Sequence, residues 1–264
     1  MSDNSHHAKN SDKELELARL EIEKLKEKLK QQNQLITNFF SNLSYEIRTP
    51  LNGILGFSEL LNTSEILCED AKMYANVINE SSLLLLSILN DAMDISRIEV
   101  DRYKVYPEAF DLNDLLFEIF MEYKSQAEQK KLQLFLDNMI SEQFIIESAP
   151  NTLKKILTKL LDNAIKFTKE GWIKMGYTDE GEYLVFSVED TGIGIPEVIR
   201  KNLFHSFISQ EVSTSRKVSG SGLDLTLCNG LVKLLGGEIE YLPKPTQGSI
   251  FSFSILNHRY QDQF

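Results

Sequence analysis

Cysteine is scarce in this chain, which has only two such residues, Cys68 and Cys228, among 264. The two lie far apart in the sequence and show none of the close spacings that are typical of zinc ligands. Disulfides are rare in reducing compartments, where isolated cysteines stay as thiols. We therefore expect two buried free thiols and a cytoplasmic location.

An excess of basic residues and a long apolar run are also missing. The chain has 28 lysines and arginines against 39 aspartates and glutamates, which gives a formal net charge of −11. This charge argues against a nucleic-acid partner, because phosphate binding requires a basic surface. The longest apolar stretch, Leu83–Leu89, is far shorter than the roughly 20 residues of a membrane span. The polar N-terminus shows no signal peptide, so we expect neither a nucleic-acid partner nor a membrane segment in this chain.

A heptad pattern occupies the N-terminal part of the sequence. Residues 1 to about 12 are polar and are predicted to be disordered. From residue 15 onward, apolar residues recur with spacings of three and four, and charged residues lie between them. Such a repeat is typical of a coiled coil, and residues 1–34 are therefore predicted to form a tail and a coiled-coil helix. The repeat positions are Leu15, Ala18, Ile22, Leu25, Leu29, Gln32, Ile36, Phe39 and Leu43.

The apolar stripe continues and predicts a helical hairpin over residues 35–105. Ile47, Leu51, Ile54 and Leu61 extend the first helix, and a second helix runs from about residue 68 to about residue 102. Two helices that each carry an apolar stripe cannot bury both stripes by themselves. We therefore predict a homodimer in which two antiparallel hairpins form a four-helix bundle.

A different pattern, in which strands alternate with helices, begins near residue 106 and continues to residue 264. It includes a helix capped by Asp111 and a hairpin turn at residues 179–181. The whole chain is therefore predicted to be α+β, with the helical hairpin followed by helices layered on a sheet. The predicted strands are 132–136, 144–147, 173–177, 184–188, 238–242 and 249–255, and the predicted helices are 111–130, 150–167 and 223–235.

Residues 39–51 resemble the phosphoacceptor motif of sensor histidine kinases, F-x-x-x-x-S-H-E-I-R-T-P-L. Every signature residue of this motif is present except the histidine, which is replaced by Tyr45. The resemblance implies a dimerisation and phosphotransfer hairpin whose partner is the receiver domain of a response regulator. In the family, the motif E-x-x-T positions water for dephosphorylation of the receiver, and Glu46 and Thr49 retain it.

The second domain resembles the ATP-binding domain that histidine kinases share with DNA gyrase, mismatch-repair ATPases and a chaperone family (the GHKL or Bergerat α/β sandwich). Residues 159–168 are similar to the motif N-x-x-x-N-A-x-K-F-T, in which the second Asn ligates Mg²⁺ and the Lys contacts phosphate. The resemblance assigns these two roles to Asn163 and Lys166. Lys159 departs from the motif, because an ammonium group cannot ligate a metal ion.

Residues 190–195 are similar to the family motif D-x-G-x-G-I. The resemblance implies that the Asp190 carboxylate accepts a hydrogen bond from the adenine amino group. It also implies that Gly192 and Gly194 let the backbone approach the base. A cofactor of ATP with Mg²⁺ is therefore expected, with Phe204 in an F-x-x-F motif nearby.

Residues 220–225 are similar to the phosphate-covering motif G-x-G-L-G-L, with Gly220, Gly222 and Leu223 in the expected positions. A Ser/Thr-rich stretch, 209–219, precedes them and resembles a mobile ATP lid. Asp224 replaces the third glycine of the motif. Its carboxylate would repel a phosphate ~5 Å away by roughly 3 kcal/mol at an effective dielectric of ~20. Alternatively, Asp224 points outward, or it pairs with Lys159 across the site.

The replacement at position 45 bears directly on function. Imidazole is largely neutral and nucleophilic at neutral pH, whereas tyrosine phenols ionise near pH 10. We therefore expect a transmitter that cannot autophosphorylate and that instead acts as a receiver phosphatase or a regulator-binding pseudokinase. Two alternatives remain open: the ATP-binding domain phosphorylates the histidine of a partner kinase in a heterodimer, or the chain is a scaffold that does not bind ATP.

Overall fold

The computed structural model describes residues 3–62, 68–137, 143–200, 203–204, 223–244 and 247–259. Two long helices, α1 (Asp3–Leu61) and α2 (Cys68–Glu99), precede a domain of strands and shorter helices. This order confirms the predicted α+β class. Within the described ranges, no helix is both long enough and apolar enough to cross a membrane.

Helices α1 and α2 form the predicted antiparallel hairpin. Near its turn, the rings of Phe57 and Tyr74 lie 5.5 Å apart, and one turn further along, Gly53 faces Ser81. Helix α1 begins at Asp3 and so includes residues 3–12, which were expected from their polar composition to form a disordered tail. This polar segment contains neither glycine nor proline, so nothing interrupts the helical hydrogen bonds that continue from residue 13 onward.

The second domain is a sheet covered on one face by helices. Its five strands follow the order β2-β4-β5-β7-β6. Strands β2 and β4 are parallel, and the other neighbouring pairs are antiparallel. The strands are β2 (Leu132–Asp137), β4 (Gly171–Asp179), β5 (Tyr183–Asp190), β6 (Ile239–Pro243) and β7 (Ser249–Leu256).

Three helices cover the buried face of this sheet: α3 (Leu112–Gln129), α4 (Pro150–Phe167) and α6 (Leu223–Leu234). Asp111 caps α3 as predicted, because its side chain accepts a hydrogen bond of 2.9 Å from the Asn113 amide. Two short elements flank the core and were not predicted: strand β1 (Glu108–Asp111) and helix α5 (Glu197–Arg200). Strand β1 pairs with β3 (Ile145–Ser148) outside the main sheet.

The hairpin packs on the second domain along α2. Ile88 and Ile95 of α2 belong to the same buried cluster as the leucines and isoleucines of α4 and α6. Further along α2, the side chain of Ile98 lies against Gly230 of α6, where a Cβ atom would be 3.1 Å from Ile98 Cδ1. The small size of Gly230 therefore allows α2 and α6 to approach closely.

Candidate nucleotide site

Asp190, the residue assigned to adenine, ends the central strand β5 and has 4% of its surface exposed. Its Oδ1 atom accepts a hydrogen bond of 2.7 Å from the Gly192 amide. Burial raises the pKa of this carboxyl, although hydrogen bonds from Gly192 and Ser249 favour its charged form. The carboxylate is therefore fixed in position at the edge where the following glycine-containing loop begins.

Two glycines keep that loop close to its neighbours. A Cβ atom on Gly192 would lie 2.5 Å from the Phe167 carbonyl oxygen and 2.8 Å from Asp190 Oδ1. Gly194 has a φ of +66°, which L side chains rarely adopt. The loop therefore packs too closely against Phe167 and Asp190 for position 192 to hold a side chain, and position 194 requires a backbone conformation that favours glycine.

Helix α4 brings together the residues assigned to phosphate and metal. Lys159, Asn163 and Lys166 lie at positions i, i+4 and i+7 and so share one face of the helix. Asn163 is half-buried, and Lys166 is exposed with its Nζ 5.4 Å from the centre of the Phe167 ring. Asn163 offers an amide oxygen of the kind Mg²⁺ accepts, and Mg²⁺ commonly completes its shell with water and substrate phosphates. These residues therefore fit a magnesium ion that enters together with a nucleotide.

Lys159 is held by two carboxylates from different parts of the chain. Its ammonium contacts Asp91 Oδ2 of α2, and it lies 3.0 Å from Asp224 Oδ1 of α6. Burial alone would lower the pKa of Lys159, but the charges of Asp224 and Asp91 raise it above its ordinary value. The predicted pairing of Lys159 with Asp224 is thus present, and the Asp224 side chain does not point outward.

A second lysine of α4 extends this contact. Lys155 Nζ lies 2.6 Å from Asp94 Oδ2 and 3.6 Å from Asp91 Oδ1. Sequence reasoning missed Asp91, Asp94 and Lys155. A signal was present, since Asp91 stands three residues after Ile88 and four before Ile95 on the buried stripe of α2. A carboxylate in such a position requires a partner charge from outside its own helix.

The kinase-like motif on α1 faces this same region. Tyr45 is 52% exposed, and Thr49, one turn later, is also exposed with its Oγ1 3.5 Å from the Tyr45 carbonyl oxygen. Burial raises the pKa of Glu46, Lys166 opposes this shift, and Asp224 adds to it. The charges of Lys166 and Asp224 therefore both act on the pKa of the Glu46 carboxyl.

The structure describes only some of the remaining residues that were predicted to belong to the site. The Phe204 carbonyl oxygen accepts a hydrogen bond of 3.2 Å from Asn229 Nδ2, and the Phe204 ring packs edge-on against Phe251 at 6.3 Å. Leu223 is buried at the start of α6. Gly220, Gly222 and the lid stretch 209–219 lie outside the described residues.

Comparisons with known proteins match both domains. Residues 35–100 match the family described as His Kinase A (phospho-acceptor) domain. Residues 148–259 match the family described as histidine kinase-, DNA gyrase B- and HSP90-like ATPase. Together, these two matches cover the greater part of the chain.

Among curated proteins, the chain is 33% identical over 247 residues to the autoinducer 2 sensor kinase/phosphatase LuxQ of Vibrio parahaemolyticus. It is 35% identical over 246 residues to the sensor protein GacS of Pseudomonas syringae. Each alignment covers 91% of this chain, which spans 28% and 27% of the lengths of these relatives.

Solved structures have the same arrangement of elements. Full-length ShkA in complex with AMPPNP superposes with a TM-score of 0.62 at 25% identity, over 88% of this chain and 47% of ShkA. The histidine kinase ThkA, solved in complex with the response regulator TrrA, gives a TM-score of 0.63 at 22% identity, over 86% of this chain and 64% of that protein. The likeness to ThkA concerns the fold alone.

Proposed function

This chain belongs to the sensor histidine kinase family, and from that premise we propose that it is a two-component transmitter that does not phosphorylate itself. Its output is the dephosphorylation or the binding of a response-regulator receiver domain. The observation that carries this proposal is Tyr45, which is exposed on α1 where the family presents its acceptor histidine. An aryl phosphate ester is a much poorer phosphoryl donor than phosphohistidine, so a tyrosine at this position does not support relay to an aspartate.

The phosphatase part of the proposal rests on Glu46 and Thr49. Thr49 follows Tyr45 by four residues, shares its face and keeps an exposed hydroxyl group. In this role the hydroxyl orients a water molecule towards the phosphoaspartate of the receiver. The name of one relative, a sensor kinase/phosphatase, supports such an activity.

The test compares the parent with Tyr45→His and Tyr45→Phe after incubation with radiolabelled Mg²⁺-ATP. We expect no labelled parent and no labelled Tyr45→Phe, and an acid-labile label in Tyr45→His. Receiver domains charged with phosphoramidate then report phosphatase activity, which Thr49→Ala should reduce at least tenfold. Acid-stable label on the parent that disappears in Tyr45→Phe would contradict the proposal, because it would identify Tyr45 as an acceptor.

ATP with Mg²⁺ is the proposed cofactor. In this proposal Asp190 accepts the hydrogen bond of the adenine amino group, Asn163 holds the metal and Lys166 contacts a phosphate. The related ShkA was solved with AMPPNP, which supports this assignment. A bound Mg²⁺ would neutralise part of the triphosphate charge, while the residues of this chain orient the base and the metal.

A second function is favoured by the intact adenine end of the site. A chain that retains Asp190, Gly192 and Asn163 can present ATP to the histidine of a partner kinase in a heterodimer. Mixing this chain with a kinase that keeps its histidine but cannot bind ATP tests this activity. Transfer of label to that histidine would establish phosphorylation of the partner kinase. If the chain does not bind ATP at all, the remaining function is that of a scaffold that binds the receiver domain.

The proposed assembly is a homodimer that forms through the hairpin. A related kinase could take the place of the second subunit and give a heterodimer. Apolar side chains of both hairpin helices remain exposed in the single chain, including Leu51 and Leu55 of α1 and Leu86 and Met93 of α2. A second hairpin would bury them in a four-helix bundle. A cytoplasmic location agrees with the free, buried thiol of Cys228.

A further inference from the structure

A cluster of charged side chains crosses the boundary between the hairpin and the nucleotide-binding domain. Asp91 and Asp94 come from α2, Lys155 and Lys159 from α4, and Asp224 from α6. We call these five residues the interdomain charge cluster. It contains three carboxylates and two ammonium groups, so negative charge is in excess by one.

The interdomain charge cluster is withdrawn from water. The side chains of Asp91 and Lys159 are only 7% and 15% exposed, and that of Asp94 is 14% exposed. Buried charges are stable only when they are paired, and removal of one partner leaves the other strongly destabilised. The contact between α2 and the second domain therefore depends on these pairs.

The cluster also reaches the phosphate end of the proposed nucleotide site. Lys159 precedes Asn163 by one helical turn on the same face of α4. Glu46 of α1 is electrostatically coupled to Lys166 at the other end of that face. Lys159 is thus paired directly with a carboxylate of the hairpin, and the charge of Lys166 acts on a second one.

From this placement we propose that the docked hairpin excludes nucleotide, because Asp91 pairs with the Lys159 ammonium that would otherwise stabilise a phosphate group. This inference rests on the proposed nucleotide site. Docking and nucleotide binding then compete for Lys159. By linkage, whatever weakens docking strengthens nucleotide binding, and bound nucleotide weakens docking by the same factor.

The structure offers a direct way to lock the docked state. A Cβ atom built on Gly230 lies 3.8 Å from the Cβ of Ile98, which is the mean separation in disulfides. The double variant Ile98→Cys/Gly230→Cys, in a Cys68→Ser background, should therefore form a disulfide between α2 and α6. Neither residue belongs to the proposed nucleotide site, and each single-cysteine variant serves as a control.

Affinity for Mg²⁺-ATP is then measured by calorimetry in the oxidised and reduced forms of the double variant. We expect affinity at least tenfold lower in the oxidised form, with no redox effect in the single-cysteine controls. Asp91→Asn should raise the affinity of the otherwise unchanged chain about tenfold. Glu80→Gln, an equivalent change on an exposed part of α2, should leave it unaltered.

Three results would overturn the inference. One is equal affinity in the oxidised and reduced forms, and another is failure of the disulfide to form under mild oxidation. The third is an absence of ATP binding in every form, Asp91→Asn included. This last result would also remove ATP from the proposed function, whereas receiver dephosphorylation is scored in a separate assay and can survive it.

Discussion

At the scale of single residues, Asp190 combines deep burial with a charge that the proposed adenine contact requires. Burial raises the pKa of its carboxyl, and the hydrogen bonds from Gly192 and Ser249 only partly oppose this shift. On acidification, Asp190 therefore takes up its proton at a higher pH than an exposed aspartate, whose ordinary pKa is about 3.9. Protonation removes the negative charge of the carboxylate and so weakens the hydrogen bond that it accepts from the adenine amino group.

We therefore expect ATP affinity to be constant above the raised pKa of Asp190 and to fall as the pH drops through it. Asp190→Asn should lose about 1.5–3 kcal/mol of binding free energy at neutral pH, since the hydrogen bond involves a charged acceptor. Calorimetric titrations of both proteins, from neutral pH down to the lowest pH at which they remain folded, test this. Protonation of the nucleotide itself is common to both proteins and cancels in the ratio. An affinity ratio that does not shrink towards acid pH would contradict the assignment.

Two lysines of α4 provide a matched comparison of buried and exposed pairing. Lys159 is paired with Asp91 and Asp224 away from water, whereas Lys154 is paired with the exposed Glu118 and Glu122 at 2.8 and 3.1 Å. Lys159→Met should lower the free energy of unfolding by about 3 kcal/mol, because it removes the nearest cation from the buried carboxylate of Asp91. Lys154→Met should cost about 1 kcal/mol or less. Urea midpoints measure both, and equal losses would show that the Lys159 pairs are solvated.

At the scale of secondary structure, most elements could be predicted from local patterns. Helix α4 has the bounds that its apolar periodicity predicts, and Asp111 caps α3 as its residue type suggests. Strand β1 and helix α5, of four residues each, were missed, whereas β3, of the same length, was predicted. Elements of that length contain too few residues to show a period, and their stability comes from the partners that they meet in the fold.

Site residues, like secondary-structure elements, were predictable where a short segment of sequence carries the pattern. Contacts between segments that are far apart in the sequence were not. Asp190, Gly192 and Asn163 occur in contiguous motifs, so the sequence alone was enough to propose them as site residues. Asp91 lies 68 residues from Lys159, and nothing in either segment specifies that α2 docks on α4. The pairing of Lys159 with Asp224 could be considered beforehand only because both residues depart from the same family pattern.

At the scale of the whole molecule, the hairpin has an apolar surface that the described part of the chain leaves exposed. Leu86, Leu89 and Met93 lie on one face of α2, and each is at least 40% exposed. On α1, Phe40, Leu51 and Leu55 likewise share an exposed face. A surface of this kind on two neighbouring helices is expected to pair with a second hairpin.

The double variant Leu86→Lys/Met93→Lys should therefore convert the dimer to a monomer, because two charges per chain would be buried against apolar partners. Sedimentation velocity at several concentrations measures the change. The matched control is Phe117→Lys/Met121→Lys on α3, which alters two residues that are each 51% exposed and lie outside the hairpin. It adds the same charge and should leave the dimer intact. A monomeric parent, or a control that dissociates equally, would contradict dimerisation through the hairpin and would assign its apolar face to a different partner.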